Sequence, residues 1–246
     1  MKVLTVTGLS GSGKTTVIEN LIKELKRRGY SIGSVKEIHY EAFAIDTPGK
    51  NTYRHRQAGA EIVTARAHNE TDILYPGHLP IYEVLSHYNQ DYVLLEGVRD
   101  CVAPEIAVCK EDAEPEITPL TFAVSGRFAN TGVTEYKGLP VISAVDDIGR
   151  LADLVEEKVP SLMHDIEYEC CGECGTDCRG FLARLLKGEV VSSDCVLSQR
   201  EVKLIIDGQD IVMVPFVQRI LKNAVVGVVS ELNGYKEGKK IVIEIE

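Results

Sequence analysis

"GLSGSGKT", residues 8–15, decides how the rest of the chain is read. It fits G-x-x-x-x-G-K-[ST] at Gly8, Gly13, Lys14 and Thr15, follows the apolar run "VLTVT" and opens the helical pattern "TTVIENLIKELKRRG". Glycines let the backbone curl so that successive N–H groups face one anion, and the helix N-terminus adds partial positive charge at the same spot. Gly8, Ser10, Gly11, Ser12, Gly13, Lys14, Thr15 and Thr16 are therefore the expected contacts to nucleotide phosphates. Lys14 would reach the β- and γ-phosphates as a catalytic cation, and the Thr15 hydroxyl would ligate Mg2+.

Outward from this loop, strand-like runs alternate with helical patterns over roughly the first 160 residues. The first helix places Val17, Leu21, Ile22 and Leu25 on one face, carries Lys and Arg in its last turn and stops at Gly29. "SIGSVKEI", "DYVLLEGV", "EIAVCK", "TFAVSG" and "PVISAV" read as later strands, and "DDIGRLADLVEEKV" as a capped amphipathic helix. The expectation is an α/β P-loop NTPase domain with a mainly parallel sheet over residues 1–160. At "PSLMHDIEYE" the rhythm breaks, and residues 165–246 read as a small α+β module: a helix "CRGFLARLLKG", a hairpin turning at Asp207-Gly208, a helix from about Phe216 to Leu232 and a strand "KKIVIEIE".

A P-loop site needs a carboxylate beside the metal, and two are offered: Glu96, ending "YVLLE", which would also serve catalysis, and Asp46. With Thr15 they form the expected Mg2+ set. No N-K-x-D stretch is present, so the usual sequence sign of a guanine pocket is missing. A second polar constellation, Lys36, His39, Lys50 and Arg54, surrounds the Pro48-Gly49 turn. Lys50 and Arg54 are four apart and share a helical face, so the group suits a second phosphate-bearing substrate, or else is a solvated helix face.

The other end of the chain poses a different chemistry. "CCGECGTDC", residues 170–178, places Cys171, Cys174 and Cys178 at x2 and x3 spacing, with Cys170 adjacent as an alternative and Cys195 sixteen intervening residues further on. Thiolates gather this closely when a cation offsets their repulsion. A [4Fe–4S] cluster, a tetrahedral Zn2+ site or a redox dithiol all remain open on these residues. The stretch also resembles a small iron–sulfur domain of anaerobic electron-transfer proteins, whose usual C-x2-C-x4-C is one residue longer.

The net charge is −10, and both parts of the chain are acidic, which argues against nucleic acid as a partner. No run of 18 apolar residues and no signal-peptide layout appears, so no membrane partner is expected and the location expected is cytoplasmic.

"VTGLSGSGKTT", "KEIHY" with "IDTPGKNTYRHRQAGA", and "DYVLLEGV" together resemble the MobB family, molybdopterin-guanine dinucleotide biosynthesis protein B, over roughly residues 1–159. The resemblance implies a P-loop protein that dimerises, binds GTP with Mg2+, hydrolyses it slowly and assists MobA, the nucleotidyltransferase that attaches GMP to molybdopterin, in making molybdenum or tungsten cofactors. It carries the second-strand motif onto Lys36 and His39, the D-x-P-G-K block onto Asp46, Gly49, Lys50 and Tyr53, and the strand ending onto Glu96-Gly97. Here "IHYE" replaces the family's paired histidines and "GVRD" its G-[FY]-K, leaving Arg99 as the stand-in cation. A P-loop small-molecule kinase and a nucleotide-regulated iron–sulfur redox protein are the alternative readings.

Overall fold

Val3, Leu4, Thr5, Val6 and Thr7 are all buried, which makes Lys2–Thr7 a central strand, β1. In the computed structural model, which describes residues 1–40, 42–163, 174–195, 197, 202–206, 209–211, 213–236 and 241–243, the chain divides into two compact units, Met1–Met163 and His164–Glu246.

The first unit continues with helix α1 (Lys14–Arg27), β2 (Ile32–Lys36), the seven-residue helix α2 (Asn51–Gln57), a hairpin of β3 (Val63–Arg66) and β4 (Thr71–Leu74), helix α3 (Ile81–Ser86), β5 (Tyr92–Glu96), β6 (Glu105–Cys109) and β7 (Thr121–Gly126). A two-residue-per-strand hairpin, β8 (Glu135–Tyr136) and β9 (Leu139–Pro140), precedes helix α4 (Ile148–Lys158). The five-stranded sheet has the order β2-β5-β1-β6-β7, and each neighbouring pair is parallel. Parallel pairing sends all carboxyl ends to one edge, and the register sets Val6, Lys36 and Glu96 side by side there. That edge is where open α/β sheets bind ligands.

On one sheet face, Val3, Val93 and Leu95 pack with Ile81 and Leu85 of α3. α1 runs against β1, β5 and β7 and beside α4. It buries Val17, Ile18, Leu21 and Leu25, and each such side chain contributes about 1.5–3 kcal/mol. The buried face includes Ile18, and Ile22 of the expected stripe is only half-buried.

Two further expectations are adjusted. "PVISAV" does not form a sheet strand: Val141 makes a single bridge to Val124, and Ile142 donates to the Val124 carbonyl at 3.0 Å. Pro140 has no N–H to extend the ladder, and the turn begun by Ser143 ends it. The α4 N-cap, Asp147, makes no side-chain capping bond.

In the second unit, helix α5 (Cys178–Leu186) starts where the Asp177 carboxylate accepts the Gly180 N–H at 2.6 Å, and it buries Phe181, Leu182 and Ala183. β10 (Leu204–Ile206) pairs antiparallel with β11 (Gln209–Ile211), and the Ile206–Gln209 pair leaves two residues for the connection, as the Asp-Gly signal predicts. The turn residues themselves lie outside the described residues. Helix α6 spans Pro215–Val229. The strand expected at "KKIVIEIE" is not formed by its described residues, 241–243, and its remainder lies outside them.

Candidate nucleotide-binding site

The chain leaves the buried end of β1 at Thr7 and must reverse into α1 within six residues, which only glycine-rich backbone allows. Gly8 has φ +145°, and a Cβ there would lie 2.1 Å from the Val108 carbonyl oxygen. Gly126, at the end of β7, has φ +75° and would set a Cβ 2.4 Å from the Ser12 carbonyl oxygen. Both positions are held to glycine by close approach as well as by dihedral angle. Ser12 is buried, and its hydroxyl closes the loop by donating to the Leu9 carbonyl at 2.7 Å.

Lys14 donates to the carbonyls of Gly8 at 2.6 Å and Leu9 at 2.8 Å, so its ammonium lies over the loop. Burial pulls its pKa below the usual lysine range. The nearby Glu96 opposes this, and Lys36 and Arg99 add to it. The Thr15 hydroxyl donates to Glu96 Oε1 at 3.0 Å, and Lys36 Nζ donates to the same oxygen at 3.0 Å. Residues 14, 15, 36 and 96, far apart in sequence, therefore meet at the sheet's carboxyl edge.

They line a cavity of about 560 Å3. Ser10, Gly11, Gly13, Thr16 and Val17 continue its lining, with Gly126, Arg127, Asn130 and residues 143–145. Those last groups escaped the sequence reading. For Arg127 and Asn130 the signal was position, polar residues directly after the buried β7 run at the edge where α/β sheets bind ligands, and residues 143–145 carried no such signal. Gly8 and Ser12 shape the loop without lining the cavity.

The rest of the expected site is placed elsewhere. Asp46 is buried at the entrance to α2, where Oδ1 accepts the Thr52 hydroxyl at 2.8 Å and Oδ2 has no hydrogen-bond partner among the described residues. It does not line the cavity, and neither do His39, Lys50 or Arg54, all of them exposed. Lys50 is the N-cap of α2, whose residues are all at least partly exposed. Arg99 pairs with Glu116 at 2.9 Å, also away from the cavity lining. A hydroxyl and a carboxylate are hard oxygen donors of the kind Mg2+ takes, so Thr15 and Glu96 fit that ion.

Of the cysteines, Cys174 lies in a turn with its Sγ 3.4 Å from the Thr176 carbonyl, Cys178 opens α5 and is buried, and Cys195 follows a 3-10 turn at Ser192–Asp194. Cys170 and Cys171 lie outside the described residues. Among the described residues no three His, Cys, Asp or Glu side chains form a group that could hold a metal ion, so Cys174, Cys178 and Cys195 do not by themselves make the expected site.

Residues 3–124 match the family described as MobB, molybdopterin guanine dinucleotide synthesis protein B. A protein of Methanocaldococcus jannaschii, provisionally named a molybdopterin-guanine dinucleotide biosynthesis adapter protein, is 29% identical over 255 aligned positions, covering 100% of this chain and 98% of its own length. The adapter protein of Haemophilus influenzae is 29% identical over 134 residues, 51% of this chain and 75% of its own. The crystal structure of Bacillus subtilis MobB is similar with a TM-score of 0.52 at 25% identity, covering 65% of this chain and 99% of that one. Similarity to the archaeal protein thus extends through the second unit, whereas the two bacterial matches cover only part of this chain.

Proposed function

We propose that the chain is a MobB-like adapter of molybdopterin guanine dinucleotide synthesis that binds GTP with Mg2+ at the head of α1, a reading supported by the match of residues 3–124 to the MobB family. The observation that carries the reading is the meeting of Thr15 and Lys36 on one oxygen of Glu96, beside the Lys14 loop. Loop amides and Lys14 hold the β- and γ-phosphates, while Thr15 and Glu96 hold the metal. Mg2+, when bound, neutralises charge across those phosphates. Lys36 adds a second cation at the same end.

Among the described residues lining the cavity there is no glutamine to orient an attacking water, a group that with an arginine finger supplies about 10³–10⁵ in rate. The site therefore suits holding GTP and hydrolysing it slowly. A MobA-like nucleotidyltransferase is the proposed partner, the active form is proposed as a homodimer, and Lys36, His39, Lys50 and Arg54 are proposed to receive a second phosphate-bearing molecule. For the second unit, the spacing of Cys171, Cys174, Cys178 and Cys195, with Cys170 as an alternative, supports a thiolate metal module. Anaerobic purification should yield bound iron or zinc, and a metal-free protein defeats that part.

The central test is calorimetry with GTP and Mg2+, followed by addition of the chain to a MobA-like enzyme with molybdopterin and GTP. Saturable binding and faster dinucleotide formation are expected. No affinity for the nucleotide, or rapid phosphoryl transfer from it to a small acceptor, overturns the adapter reading.

A further inference from the structure

We infer that helix α6 of the second unit is a contact between two copies of this chain, paired end for end about a two-fold axis at Ala224. The helix lies outside the segment that matches the family and outside the unit that holds the nucleotide cavity, so failure of this inference leaves that site as it stands.

Helix α6 is apolar on both sides. Gln218 is buried, and its side-chain amide donates to the Met213 carbonyl at 2.7 Å, which fixes one face inward; Leu221, Val225 and Val229 are half-buried with it. The other face carries Phe216, Val217, Ile220 and Val228. The Leu232 N–H donates to the Val229 carbonyl at 3.1 Å, so the coil continues to Leu232. Each of these five large side chains is between 42% and 71% exposed. A helix that is apolar all round is normally covered on both faces.

The outer face is its own complement. Phe216, Ile220, Ala224, Val228 and Leu232 are all exposed and recur every four residues, which makes them one continuous ridge of the kind that packs helix on helix. Ala224, the smallest, stands at the centre. Ile220 and Val228 lie four residues to either side of it, and Phe216 and Leu232 lie eight. A second copy reversed about Ala224 therefore meets Ile220 with Val228 and Phe216 with Leu232, and alanine faces alanine where the helices come closest. The same patch serves both partners, as a two-fold contact requires. A small residue at the crossing also brings the axes toward the near end of the usual range of about 8–10 Å.

Charge and size agree with this occupant. The chain carries −10 overall, so most of its surface repels a second copy. Helix α6 is an exception: from Pro215 to Val229 it has no Asp or Glu, and its charges are Arg219 and Lys222. Reversed pairing also sets Glu231, just past the end of one helix, level with Val217 in the first turn of the other, where the helix dipole favours an anion. Covering the five large side chains and Ala224 removes about 500 Å2 per copy, about 1,000 Å2 in all, the lower limit for a specific interface. The contact is therefore a weak and reversible one.

Full-length protein in which the photoreactive residue benzoylphenylalanine replaces Ile220 tests this, with unlabelled and 15N-labelled copies mixed equally before irradiation. Cross-links should join copies of unlike label and land on Val228, and moving the probe to Phe216 should move them to Leu232. Ala224→Glu, which sets two carboxylates together on the axis, should cut the yield about tenfold or more while helix content and GTP binding stay unchanged. Ala224→Lys, of the opposite sign, should do the same. Cross-links confined to single copies, links that join position 220 to position 220, no link between copies, or an undiminished yield in both Ala224 variants overturns the inference.

Discussion

Residues 8–16 and residues 39–54 are both polar, glycine-containing stretches that lead into a helix, yet of the two, among the described residues, the first alone lines the cavity of about 560 Å3. The difference is anchorage. The first stretch hangs between buried β1 and an α1 that sinks Val17, Ile18, Leu21 and Leu25 into the unit. The second leads into the seven-residue α2, which buries nothing. Suitable residue types are therefore not enough to line the cavity. The backbone that carries them must be fixed by packing, so that the cost of ordering them is met before any ligand arrives.

The largest effect that separates the two stretches is on phosphate binding. Lys14→Ala should weaken GTP by about 10³-fold, roughly 4 kcal/mol for two charge-assisted contacts. Lys50→Ala should change it by less than about threefold, an exposed and screened effect. Calorimetry of the two variants checks this, and equal losses would abolish the distinction between the stretches.

Next comes stability. Gly126, with φ +75° and ψ −150°, occupies a region open essentially to glycine alone, and it abuts Ser12. Gly126→Ala should cost about 3 kcal/mol in denaturant unfolding, combining strain with overpacking. Gly49 has φ +87° but open space within 4 Å of where a Cβ would sit, so alanine there should cost only about 1–2 kcal/mol. A smaller, more selective effect belongs to Glu96→Gln. The amide still accepts from Thr15, but the charge is gone, so Mg2+ should improve nucleotide affinity about tenfold less than in wild type.

The same contrast explains what was legible in the sequence. Gly8 to Thr16 could be read because their chemistry is local: loop, helix start and phosphate contacts all lie within one stretch. Glu96 could be read as a strand ending, and Lys36 through the family resemblance, since each sits at the carboxyl end of a recognisable strand. Arg127, Asn130 and Ala144 could not, because a single N–H or amide has no spacing to betray it and is recruited only by the strand order of the sheet. Asp46, His39 and Arg54 do not line the cavity: Asp46 is buried at the entrance to α2, and His39 and Arg54 are exposed. "PVISAV" misled for a related reason: its apolar residues are buried, as Val141 and Ile142 show, but Pro140 and Ser143 restrict its pairing.

The smallest effect tests how the anchored region is tied down. Arg28, at the end of α1, bonds Glu24 at 2.9 Å within its own helix and reaches Asp153 at 2.6 Å and Glu156 in α4. Hydrogen bonds from Arg27 and then Arg28 hold the Glu24 carboxyl down at about 2, from an ordinary 4.5, against the opposing pull of burial. A carboxyl depressed in the fold binds its proton more readily once unfolded, so this contribution is complete above pH 4.5 and disappears as the pH falls toward 2. Wild type should therefore lose stability more steeply over that interval than Glu24→Gln, which has no proton to gain, and the two should run parallel above pH 5. Unfolding curves collected from pH 6 to 2 measure the difference. If they stay parallel throughout, Glu24 adds nothing to the hold on α1.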